Sequence, residues 1–132
     1  MKLSSLLSRG RLIGLLLAVA GFGVAAGCTQ VLLSPDQRGE YKLGELQVFV
    51  DRDFATAYTA AKNGMKDMGL FAVRDDRLVV EAELNGRDAT DTLVVVKIKE
   101  IAKNRTSIKI RYGLKGSLAP AQQVFTAIEK RL

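Results

Sequence analysis

The chain has no histidine, no tryptophan, one cysteine and two prolines among its 132 residues. Each scarcity excludes something. Without histidine, the commonest general base and the commonest metal ligand are both missing. One cysteine, Cys28, cannot form an intrachain disulfide, and it supplies no thiolate cluster for zinc or iron–sulfur chemistry. No Ser/His/Asp or Cys/His set, no His-Glu-x-x-His pair and no phosphate-cradling glycine loop occurs. An enzyme is therefore not expected, and neither is a metal or a dissociable cofactor. Prolines only at 35 and 120 leave long stretches free to form strands and helices.

What is present begins with an apolar run. Lys2, Arg9 and Arg11 give a positive start without an acid, Leu12 to Ala26 is apolar, and Ala25, Ala26 and Gly27 supply small side chains. This is the layout of a secretory leader, and roughly 15 residues are short for a spanning helix. The motif Ala25-Ala26-Gly27-Cys28 resembles the bacterial lipobox, commonly Leu-Ala-Gly-Cys, with Ala25 in place of Leu. That resemblance implies a diacylglycerol thioether on Cys28, cleavage between Gly27 and Cys28, and acylation of the new amino group. A buried methylene contributes about 0.8 kcal/mol, so two or three chains hold firmly where one binds reversibly. Thr29 stands where an Asp would retain an enteric lipoprotein in the inner membrane, which by resemblance implies the outer membrane, facing the periplasm. Two other readings fit the run: an uncleaved anchor helix, weakened by four glycines, or a soluble secreted form.

Removing residues 1–27 from 132 leaves 105, enough for one domain. The leader holds three of the 20 basic residues and none of the 14 acidic ones, so the remainder carries 17 against 14, a net of +3. So mild a balance on an exported chain does not suit nucleic acid. The expected division is a signal peptide over 1–27, a lipidated spacer over 28–43 and one domain over 44–132. Val31-Leu32-Leu33 in the spacer is apolar and touches either the bilayer or the domain.

Within the domain, alternation predicts strands over 44–50, 70–74, 78–84, 92–101 and 106–112. Asp75-Asp76, Asn85-Gly86 and Lys103-Asn104-Arg105 read as turns. A helix is predicted over 53–68, capped by Asp51 or Asp53, with Phe54, Ala57, Tyr58, Ala61, Met65 and Met68 as its apolar stripe. Gly64 inside it suggests close approach to the sheet. A second helix begins near Pro120 and turns Leu118, Ala121, Val124, Phe125, Ile128 and Leu132 inward. The expected fold is α+β, order β-α-β-β-β-β-α. An antiparallel sheet of four to five strands carries both helices on one face and leaves the other open.

This pattern resembles a family of small bacterial lipoproteins of unknown function. The resemblance rests on the lipobox, on Tyr41, Gly44, Glu45 and Leu46, on Lys66, Gly69 and Leu70, and on the strands over 93–99 and 107–113. It implies fold and location, and no activity.

Three pairs of acids, Asp51/Asp53, Asp75/Asp76 and Glu81/Glu83, are explained by capping, a turn and an outward strand face. Lys97, Lys99, Lys109 and Arg111 fall at outward positions of two adjacent strands. They form either a solvated face laced by cross-strand ion pairs or a docking face for an acidic partner or anionic glycolipid. The functional expectation is a lipid-anchored, non-enzymatic envelope interaction or assembly module, bound to the membrane and docking a second envelope protein. The alternative is a carrier of a small apolar ligand, with Phe49, Phe54, Tyr58, Phe71 and Phe125 lining its pocket.

Overall fold

The structure, a computed structural model, describes residues 29–34 and 37–132. The apolar run, Gly27 and Cys28 lie outside the described residues. Among the described residues, seven strands and two helices follow one another: β1 (Thr29–Ser34), β2 (Gln37–Lys42), β3 (Glu45–Val50), α1 (Phe54–Asp67), β4 (Phe71–Arg77), β5 (Glu81–Arg87), β6 (Leu93–Ala102), β7 (Arg105–Tyr112) and α2 (Leu118–Glu129). All neighbours pair antiparallel in one sheet, in the order β1-β2-β3-β7-β6-β5-β4. Helix α1 carries the chain from the middle of the sheet to its far edge, and β4 to β7 return as a meander.

The α+β class and the shared helix face agree with the sequence reading, but the sheet has seven strands rather than four to five. The difference is the hairpin over 29–42, read as a spacer and formed as β1 and β2. Its inward row is sparse: Val31 pairs with Gly39, and Tyr41 pairs with Leu46. Val31 is buried, Leu33 packs on the core and Leu32 stays exposed. The apolar patch is therefore split between domain and solvent.

The core lies between the sheet and the helices. Leu46, Val48, Val94, Val96, Ile98, Ile108 and Ile110 come from the central strands, and Ala57, Ala61, Val124, Phe125 and Ile128 from the helices. Each large aliphatic side chain in it contributes roughly 1.5–3 kcal/mol of burial. Gly64 marks a close approach to α2 rather than to the sheet. A Cβ there would stand 2.7 Å from the backbone nitrogen of Ile128. Asp53 occupies the N-cap of α1 in extended conformation without a side-chain capping hydrogen bond.

Two predicted turns lie inside strands. Asp75 and Asp76 belong to β4, and the turn is formed by Leu78, Val79 and Val80. Asn85 and Gly86 belong to β5, opposite Val95 and Val94, and the connection falls at 88–92. There Asp88 accepts hydrogen bonds from the Thr90 and Thr92 amides and from the Tyr112 hydroxyl.

Candidate functional site

The helices leave one face of the sheet uncovered, and its centre is charged. Strand alternation turns the odd-numbered residues of β3, β6 and β7 to this face, because their even-numbered neighbours fill the core. The register builds a continuous row across five strands. Gln47 on β3 lies opposite Lys109 on β7, Lys109 opposite Lys97 on β6, Lys97 opposite Glu83 on β5, and Glu83 opposite Asp76 on β4. The adjacent row runs from Phe49 through Ser107 and Lys99 to Glu81.

These rows floor a shallow concavity of about 800 Å³, walled on the β4 side by Asp76, Arg77 and Leu78 and at the far end by Ile101. Gln47 donates to the Ser107 hydroxyl at 3.1 Å. Lys99 and Glu81 form an ion pair at 3.2 Å, and Arg74 pairs with Asp76. Lys97 and Lys109 differ: two like charges are direct cross-strand neighbours, and neither has an ion-pair partner among the described residues. Lys109 also borders a smaller hollow of about 390 Å³ shared with Glu40, Lys42 and Gln47. Glu83 and Asp76 follow Lys97 along the same row without reaching it, and two ammonium groups facing each other in a concave surface can take a carboxylate or phosphate between them.

On the helix side of β4, Asp75 accepts a hydrogen bond from the Tyr58 hydroxyl. That bond holds the Asp75 carboxyl below the usual carboxylate range and pushes the Tyr58 phenol up, burial adding to the latter. The group braces the edge strand and offers no free base.

Of the four cations read as a cluster, Lys97, Lys99 and Lys109 share the concavity and Arg111 does not. Arg111 lies beside Val95 and reaches the other way, to the Leu43 carbonyl at 2.9 Å and the Leu114 carbonyl at 3.4 Å, with Glu45 at 3.8 Å. The five aromatic residues offered as a pocket do not converge. Phe54, Tyr58 and Phe125 are core, Phe49 lies on the open face beneath Arg105, and Phe71 is 73% exposed. Among the described residues, no group of three His, Cys, Asp or Glu side chains is arranged to hold a metal, and no helix is long and apolar enough to cross a membrane. The sequence reading missed Gln47 and Ser107. Their signal was available, since both alternate with buried aliphatics, but polar residues on an outward row attract no notice until the register joins them to Lys109 and Lys99.

No curated protein matches the chain. Residues 12–131 match the family described as Protein of unknown function (DUF3568), and the chain belongs to that family.

Proposed function

We propose that the chain is a lipid-anchored protein of the bacterial envelope. Its domain is a non-enzymatic module that docks an acidic segment of another envelope protein on the open sheet face. The Lys97–Lys109 pair carries the docking half of this reading. Like charges directly opposed on a sheet destabilise it, and an anionic partner between them turns that cost into binding energy. The anchor half rests on the sequence: a positive start, an apolar run and small residues leading to Cys28. Thr29 in place of Asp favours the outer membrane.

The test uses the full chain purified from membranes. Mass spectrometry of its N-terminal peptide reads the anchor directly: acylated Cys28 at the N-terminus is expected, and an unmodified Cys28 preceded by residues 1–27 overturns it. Docking is read by retention on immobilised polyglutamate across a salt gradient. Lys97→Glu/Lys109→Glu is expected to elute at much lower salt than the parent chain, while Lys130→Glu, outside the concavity, elutes close to it. Equal elution of all three overturns docking at this face.

A further inference from the structure

We infer that the end of the sheet from which β1 starts is a membrane-contacting tip, with Leu43 and Leu114 seated in the lipid interface and Lys42 and Lys115 on the headgroups. The inference rests on the anchored reading above and adds an orientation to it.

The register defines this end. Thr29 lies opposite Tyr41, beside the Lys42–Glu45 turn, and Leu46 lies opposite Ile110, which brings the loop after Tyr112 to the same end. Cys28 is bonded to Thr29, so a lipid on its sulfur begins here, within one residue of the folded sheet. A tether that short fixes which end of the domain meets the bilayer.

Two of the most exposed apolar side chains stand at this end: Leu43 is 82% and Leu114 is 91% exposed. Leu43 sits at φ 51° in a two-residue hairpin turn, followed by Gly44 at φ 78°. Asn, Asp or Gly is the ordinary choice at such a position, because a bulky side chain is strained there. An apolar side chain that is both strained and solvent-exposed stabilises nothing within the domain, and an apolar surface outside it supplies the missing contact.

The two leucines are held as one rigid unit. The Arg111 guanidinium donates to the carbonyls of both residues. The loop backbones touch as well, since a Cβ on Gly116 would collide with the Gly44 carbonyl. Lys42 and Lys115 flank the leucines and are exposed, which suits anionic headgroups. Three nearby acids are engaged, Glu45 facing Arg111 at 3.8 Å, Asp88 accepting from Tyr112 at 2.6 Å and Asp91 lying 3.6 Å from Arg87, while Glu40 borders the same hollow as Lys42 and Leu43.

Val79, 89% exposed, lies in the turn at the opposite end and provides the comparison. The chain contains no tryptophan, so one introduced indole is the sole reporter. Full chains carrying Leu114→Trp or Val79→Trp are placed in phosphatidylethanolamine/phosphatidylglycerol vesicles with brominated acyl chains, and fluorescence quenching is read. Leu114→Trp is expected to be quenched several-fold more than Val79→Trp, and Lys115→Glu added to Leu114→Trp is expected to reduce that quenching. Equal quenching at the two ends, in chains whose circular dichroism matches the parent, overturns the tip. The mass of the Cys28 peptide from the same samples reports the anchor separately. A lipidated chain with equal quenching sinks the tip alone. An unlipidated chain sinks the anchor, and the quenching contrast still decides the tip.

Discussion

The Tyr58 hydroxyl on α1 donates a 2.6 Å hydrogen bond to Asp75 on the edge strand β4. Lys62 reaches the same carboxylate oxygen at 3.1 Å, and the Arg77 guanidinium lies over the Tyr58 ring at 4.5 Å. The most distal strand of the meander is thus fastened to the helix as well as to β5. Tyr58→Phe keeps the ring and removes the hydrogen bond. It is expected to lower global stability by about 1 kcal/mol, read by urea denaturation. Amide exchange in β4 should rise more than in β6, because the lost bond is local to the edge.

The pH profile follows from the charge partners. Asp67, Asp75 and Asp88 all titrate below the ordinary 3.8 in the folded chain, chiefly through Arg131, Tyr58 and Tyr112 respectively. Their stabilisation is complete above 3.8 and is lost as pH falls below it. Tyr112 is pushed up to about 12 from 10, by burial and by its bond to Asp88. Its share is complete below 10 and is lost as pH rises from 10 toward about 12. With no histidine, the melting temperature should be level from about pH 5 to about pH 9. Scanning calorimetry across pH measures both limbs. Tyr112→Phe is expected to flatten the alkaline limb and, since it also removes the largest influence on Asp88, to make the acid limb shallower as well.

Where alternation was strong, the sequence already described the structure. Val94, Val96, Ile98, Ile108 and Ile110 all point into the core, as does the stripe of α2 from Ala121 to Ile128. The hairpin over 29–42 was hidden because β2 reads Gln-Arg-Gly-Glu-Tyr-Lys, where Gly39 removes one inward side chain and its neighbours are charged. Asp75-Asp76 looked like a turn because adjacent acids favour turns, and the partner that lets Asp75 sit in a strand lies 17 residues away on α1. At the site, period-two reasoning found Lys97, Lys99 and Lys109. It could not see that Arg111 is long enough to reach the Leu43 carbonyl, 68 positions earlier.

Gly64 separates two opposing effects. In an isolated helix, Gly64→Ala would gain up to about 1 kcal/mol of helix propensity. Here the added Cβ meets the nitrogen and Cα of Ile128 at 2.7 and 2.8 Å. Backbone atoms cannot swing aside, so the helices must separate, and overpacking of this kind costs about 1–3 kcal/mol. The clash outweighs the propensity, and Gly64→Ala should lower the urea midpoint. A midpoint unchanged or raised would show that α1 and α2 slide apart freely.

The lysine pair makes opposite predictions for neighbouring residues. Lys109 faces Lys97 directly, whereas Lys99 is paired with Glu81 at 3.2 Å. Lys109→Gln removes a repulsion and should stabilise the domain by a few tenths of a kcal/mol, the low end for a cross-strand pair in which Lys97 is exposed and Lys109 half-buried. Lys99→Gln removes an attraction and should destabilise it by a similar amount. Both shifts should shrink in salt near 1 M, where the screening length falls to about 3 Å. Urea titrations at low and high salt measure this. Loss of polyglutamate retention together with a gain in stability for Lys109→Gln would mark the repulsion as one kept for binding. Stability and retention that both fall would mean that Lys109 serves the fold instead.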